Sequence, residues 1–222
     1  MRARPALVCF GLAVFLGTAI GFTAPGAAQQ PPHLRVDLEY RLIAPQPVET
    51  GDKIEVVDFF WYGCPYCNEL YPALEAWNGR KPADVALRRI PAVLRDSWAP
   101  HARIFFALEA LGEADRLHGQ VYHSYHVEKL HLNQPDVAEQ WAVRHGIDRE
   151  KWVAAYTAAE TGRKVEQAKA AARRYAVTGT PSVVVDGRFL TSSTMAETVP
   201  GVVNILEQLI IFARAERAKS AN

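Results

Sequence analysis

Phe59-Phe60-Trp61-Tyr62-Gly63-Cys64-Pro65-Tyr66-Cys67 is the stretch whose reading decides the fold. Ahead of it, Lys53-Ile-Glu-Val-Val-Asp58 reads as a buried strand, and behind it Asn68-Glu-Leu-Tyr-Pro-Ala-Leu-Glu-Ala-Trp77 reads as a helix. Two cysteines with two residues between them therefore fall at a strand-to-helix turn, the placement expected of a redox dithiol. Positions i and i+3 of a helix share a face, so the first turn brings both sulfurs within bridging reach. Cys64, at the very start, meets unpaired backbone N–H groups and the positive end of the helix dipole, which favour a thiolate. It is expected to be the attacking sulfur, with Cys67, one turn inside, as the resolving partner.

A Cys-x-x-Cys pair is also half of many zinc sites. His118 with His123, and His126 with His131, have the intervening length seen in two-histidine zinc sites. The nearest of them, however, is roughly fifty residues downstream of Cys67, far beyond finger spacing, and Pro65-Tyr66 at a helix start suits redox work better. No metal and no cofactor is expected, and these histidines read as solvated helix and loop residues.

Further groups belong with the dithiol. Asp58 precedes Cys64 by six residues, and alternation puts it on the face of Ile54, Val56 and Phe60. Beneath Cys67 it would be a buried carboxyl of raised pKa, able to take or return that thiol's proton; the alternative is an acid at a strand end reaching water. Thr180-Pro181 follows Gly179 and opens the Ser182 strand; an X-Pro bond is usually trans, and composition alone gives no reason for a cis bond here. Trp61 and Tyr62 read equally as core aromatics or as an apolar rim.

Working outward, Leu34 to Ile43 alternates apolar and polar residues and predicts a half-buried strand. Pro65 starts the first helix, which Pro72 is expected to kink. Val85 to Pro91 predicts a further strand. From about Ser97 to Tyr175 only helical periodicity is found, in pieces: Ala102 to Leu111, Ala114 to about Lys129, Val137 to His145, Glu150 to Glu160 and Arg163 to Tyr175, with Thr161-Gly162 as one of the breaks. Ser182 to Val185, the Asp186-Gly187 turn and Arg188 to Thr191 predict a hairpin. A last helix is expected from near Pro200, capped by Thr198.

Upstream, Arg2 and Arg4 precede an apolar run from Ala6 to Phe22 and the small residues Gly26-Ala27-Ala28, the order of a secretory signal cleaved after Ala28. Cleavage removes Cys9 and leaves Cys64 and Cys67 as the only thiols. A bridge over two intervening residues closes almost no loop, so the pair is chemical and not a structural staple. Lysine plus arginine, 25, balances aspartate plus glutamate, 24, in 222 residues, which implies no nucleic-acid partner.

The strand ending in Phe-Trp-Tyr-Gly-Cys-Pro-Tyr-Cys, the acid six residues before Cys64 and the Gly-Thr-Pro segment opening a late strand together resemble the thioredoxin superfamily. The helical insertion and the secretory signal resemble its periplasmic DsbA branch. The resemblance implies an α/β, thioredoxin-like fold with an inserted all-helical domain. The expected parts are a cleavable signal peptide (1–28), the first half of the thioredoxin-like domain (29–96), the inserted helical domain (97–175) and the second half (176–222). It further implies that Cys64 is the nucleophile of a redox-active disulfide with Cys67, that Asp58 holds the buried-acid position, and that Pro181 is a cis-proline facing the dithiol. Thr180 is then expected to pair with substrate backbone, beside Pro65 and Tyr66. The implied activity is donation of a disulfide to newly exported, unfolded proteins in the periplasm. Reoxidation would come from a DsbB-like membrane quinone reductase, acting on a monomer with no stable membrane insertion.

Two departures bear on redox poise: Tyr66 stands where the branch often has histidine, and Asp58 where it commonly has glutamate. The readings that remain beside disulfide donation are a periplasmic isomerase or reductase using the same residues, and a peptide-binding holdase with a static disulfide.

Overall fold

The computed structural model describes residues 33–220; the expected signal peptide lies outside the described residues. Five strands, β1 (Arg41–Leu42), β2 (Ile54–Phe60), β3 (Val85–Pro91), β4 (Ser182–Val185) and β5 (Phe189–Ser192), form one mixed sheet in the order β1-β5-β4-β2-β3. The helices are α1 (Pro65–Asn78), α2 (Ala99–Ala110), α3 (Ala114–His126), α4 (Pro135–Arg144), α5 (Arg149–Thr157), α6 (Ala159–Arg174) and α7 (Val202–Ser220). Helices α2 to α6 all lie between β3 and β4 in the chain, so the α/β architecture with a helical insertion is the one adopted.

Every residue of β2 is buried, because the sheet is covered on both faces. On one side Ile54 and Val56 join Leu70 and Leu74 of α1 and Leu206 and Leu209 of α7. On the other, Val57 and Phe59 share a core with Ile104 and Leu108 of α2 and Trp141 of α4. Each such side chain contributes roughly 1.5–3 kcal/mol on full burial, which favours placing β2 inside the sheet with a strand on either side. β2 runs parallel to β3, Ile54 opposite Val85 through Phe60 opposite Pro91, and antiparallel to β4, with Asp58 opposite Val183 and Phe59 opposite Ser182. Parallel neighbours need a crossover between them, and α1 supplies it.

The predicted hairpin forms: Asp186 and Gly187 have φ of 54° and 64°, the two left-handed positions of a type I′ turn. The Thr198 hydroxyl accepts the Gly201 N–H at 3.1 Å just ahead of α7, much as the capping expectation had it. Pro72 sits inside α1, which runs unbroken through it.

Other expectations need correction. Leu34 to Ile43 is not a strand beyond β1 and a single Val36–Tyr40 bridge. Asp37 turns the chain at φ 62°, its N–H bonding Tyr40 O at 2.7 Å, while the Glu39 carboxylate takes the Arg35 N–H at 2.7 Å. That local side-chain bond competes with a ladder and leaves Leu38 and Leu42 exposed despite the alternation. Thr161-Gly162 breaks nothing: the chain turns at Ala158, and the Thr161 hydroxyl reaches back to Ala155 O at 2.7 Å, satisfying a carbonyl at the end of α5.

Gly187 gives a direct check on the hairpin, since a Cβ there would sit 2.3 Å from the Gln46 carbonyl oxygen. Gly187→Ala combines that clash with a left-handed φ and should cost about 1–3 kcal/mol, lowering the melting temperature by several degrees; an unchanged melt would contradict the turn.

Candidate redox site

The register sets the site. Because Ser182 pairs with Phe59, Thr180 and Pro181 lie just off the end of β4, beside the point where β2 gives way to the cysteine turn. The Thr180–Pro181 bond is cis, and the Thr180 carbonyl lies 3.3 Å from Cys64 Sγ as the acceptor of its S–H. Cys64 is the N-cap of α1 in extended conformation, with Pro65 at the first helical position, where its missing N–H leaves no bond unmade. The Cys64 N–H closes the turn onto Trp61 O at 2.9 Å. Gly63 is required within it, since a Cβ would fall 2.3 Å from the Trp61 ring.

Cys64 and Cys67 are unbridged and are the cysteines of the described residues. Both residues are largely buried, whereas Pro65 and Tyr66 between them face solvent, Tyr66 at 55% exposure. The two thiols are driven apart in acidity. Cys64 is lowered to about 6, first by a hydrogen bond from the Cys67 thiol, then by the Thr180 side chain and the Cys67 and Tyr66 backbone, against the opposing effect of burial. Cys67 is pushed well above its ordinary value by burial, reinforced by its bond to Cys64. Thr180 thus serves the sulfur in both states: its carbonyl accepts from the thiol, and its side-chain hydroxyl is a donor suited to the thiolate.

Asp58 is buried instead of reaching water at the strand end, and shares a narrow cavity with Cys67, Phe60, Leu70, His118 and Pro181. Burial raises its carboxyl to about 7, with Arg89 opposing and Glu75 reinforcing the rise. Arg89 is Asp58's neighbour across the sheet, yet its guanidinium is bound to the Glu75 carboxylate, with Asp115 at 3.7 Å. Asp58, buried against Cys67, is therefore left without a cation of its own. Glu55, on the same strand and fully buried, differs: it accepts Arg88 Nε at 3.1 Å and the Glu49 N–H at 3.0 Å.

Sequence reasoning missed the residues behind the turn. Tyr62 is fully buried, its hydroxyl 2.8 Å from His118 Nδ1 and its carbonyl 2.8 Å from His126 Nε2, while Trp61 stacks on Trp98 at 4.1 Å. His118, read as solvated, is buried, as is His101 of α2, and burial keeps both imidazoles neutral, His101 down to about 4. The signal available was the stripe of His118, Tyr122 and His126, four residues apart on one face of α3; what they face is tertiary information.

Fold and site together define a thioredoxin-fold dithiol oxidoreductase, with one activated and one suppressed thiol at a helix start opposite a cis-proline. The chain belongs to the DSBA-like thioredoxin domain family, whose family model matches residues 55–204. It is 32% identical over 200 residues to the thiol:disulfide interchange protein DsbA of Burkholderia cepacia, covering 90% of this chain and 93% of that one. The same-named protein of Pseudomonas aeruginosa is 33% identical over 195 residues, covering 87% and 92%. The crystal structure of Pseudomonas aeruginosa DsbA superposes with a TM-score of 0.76 at 33% identity, covering 83% of this chain and 95% of that chain. Dithiol–disulfide exchange is the reaction of this enzyme.

Two measurements test the electrostatics. Pulsed iodoacetamide labelling, resolved by mass spectrometry, should show Cys64 reactivity rising through an inflection near 6 while Cys67 stays unreactive well beyond 9; a common inflection near 9 would contradict the arrangement. For Asp58, the folded protein holds a proton that the unfolded chain releases. Below about 4 the acid is neutral in both states, and stability then falls as pH rises until both states are ionised above about 7. Asp58→Asn removes this loss, so in reduced protein its stability relative to the parent should improve by roughly 2–4 kcal/mol between pH 4 and pH 8. Parallel stability profiles would mean that Asp58 ionises normally.

Proposed function

We propose that the enzyme donates a disulfide to newly exported, unfolded polypeptides through Cys64 and Cys67. A substrate thiolate attacks Cys64 Sγ of the Cys64–Cys67 disulfide, a mixed disulfide forms, and Cys67 departs, taking the proton that Asp58 holds. A second substrate thiolate attacks the substrate sulfur of the mixed disulfide, and Cys64 leaves as a thiolate. The substrate loses two electrons and the Cys64–Cys67 pair gains them. Thr180 and Pro181 hold the substrate backbone beside the sulfur, and Pro65 and Tyr66 form the exposed rim it meets.

The observation that carries this direction is the split between the two thiols. A sulfur ionised at neutral pH is a good leaving group and stabilises the dithiol form, so the disulfide gives itself up readily. That stabilisation is complete above the ordinary thiol value of 9 and is lost as pH falls through about 6. The names of the relatives, thiol:disulfide interchange protein DsbA, accord with it. The proposal includes removal of residues 1–28, residence in the periplasm, a monomeric enzyme, reoxidation by a DsbB-like membrane quinone reductase, and residues 97–175 as an inserted domain between the halves 29–96 and 176–222. Among the described residues no helix is long and apolar enough to cross a membrane.

The test is the equilibrium of the dithiol with glutathione together with oxidation of a reduced two-cysteine peptide. The expected results are a potential more oxidising than that of glutathione, loss of peptide oxidation in Cys64→Ser, and, in Cys67→Ser treated with oxidised glutathione, an accumulating mixed disulfide at Cys64 with release of reduced glutathione. A potential near that of cytosolic reductants would favour the reductase, and undiminished activity of Cys64→Ser the holdase.

A further inference from the structure

We infer that His126 is a positioning residue for the redox-active turn, with α3 holding Tyr62, two residues ahead of Cys64, at both its backbone and its hydroxyl. The inference deepens the reading of Cys64 as the nucleophile and rests on it.

Between Phe60, the last residue of β2, and Cys64, the N-cap of α1, the chain belongs to neither element. The Tyr62 carbonyl there is outside both hydrogen-bond ladders, and Tyr62 is fully buried, so the carbonyl needs a donor from elsewhere. His126 Nε2 lies 2.8 Å away. A carbonyl only accepts, so Nε2 carries the proton. Because the peptide unit is planar, fixing the Tyr62 carbonyl also fixes the Gly63 N–H on the same plane. Only the two backbone angles of Gly63 then separate that plane from Cys64, and glycine is the residue least able to restrain them itself.

The far end of Tyr62 is held from the same helix. Its hydroxyl lies 2.8 Å from His118 Nδ1, and Tyr122, midway between the histidines on α3, packs on the Tyr62 ring at 5.1 Å. Four-residue steps place His118, Tyr122 and His126 in one stripe. An aliphatic side chain at 126 would fill the space but leave the carbonyl unpaired. The consequence falls on Cys64, whose thiolate depends on the Cys67 thiol, then on Thr180 and on the backbone of Cys67 and Tyr66; releasing the Tyr62–Gly63 plane lets the sulfur drift from those donors.

The experiment compares the parent with His126→Phe and His126→Gln, whose amide nitrogen can replace Nε2. The thiolate is followed by absorbance at 240 nm across pH in reduced protein, and unfolding is recorded separately. The Phe variant should show its inflection about one pH unit higher, about a tenfold loss of thiolate at acidic pH, with the Gln variant close to the parent. An unmoved inflection in the Phe variant, whatever its melting temperature, overturns the inference, as does a Gln variant that behaves like Phe. Should the Phe variant not fold, nitrogen-15 spectra of the parent's histidines decide: an Nε2–H tautomer with slowed exchange at His126 supports the bond, and an Nδ1–H tautomer overturns it. A parent with no low inflection at Cys64 would instead refute the nucleophile assignment.

Discussion

The antiparallel pairing of β2 with β4 is the constraint on which the rest of the site depends. It places Ser182 opposite Phe59, and so delivers Thr180 to a cysteine 116 residues away in the chain. A slip of one residue in β4 would turn its side chains to the opposite faces of the sheet and exchange which of them meet each core. Burial of β2 on both faces makes such a slip costly. The precision at the sulfur is therefore inherited from hydrophobic packing well away from it.

The same strand carries two carboxylates and treats them differently. Glu55 is compensated by Arg88 and a backbone N–H, the ordinary way to retain a buried charge. Asp58 has a cross-strand arginine within the sheet, but α1 draws that arginine away through Glu75. The helix that carries the thiols thus also withholds the cation from the acid beneath them. Stability would be better served by pairing Asp58, and the unpaired arrangement is what brings a carboxyl into the pH range of proton exchange.

Much of this was legible in the sequence because it depends on local chemistry. The Cys64-to-Cys67 turn, the Asp186-Gly187 hairpin and the helical block between β3 and β4 follow from spacing, turn residues and periodicity, and the face of the sheet on which Asp58 lies follows from period two. Leu34 to Ile43 misled for the converse reason: its alternation is that of a strand, but Glu39 satisfies the Arg35 N–H locally and the chain turns at Asp37. Resemblance, and not composition, pointed to the cis bond at Pro181. The histidines were illegible because nothing near His118 or His126 announces that Tyr62 is their partner; that contact exists only once α3 has packed against the turn.

The β3-to-β4 insertion also orders the site in time. A chain made from its amino end presents Cys64 and Cys67 long before His118, His126 and Thr180 exist, so the pair first emerges without these partners. Thr180 reaches the sulfur only when β4 closes the sheet, after the whole helical insertion has been made. The site is thus completed last: its cysteines come from the first half of the fold, and the groups that hold them come from the insertion and from the turn before β4.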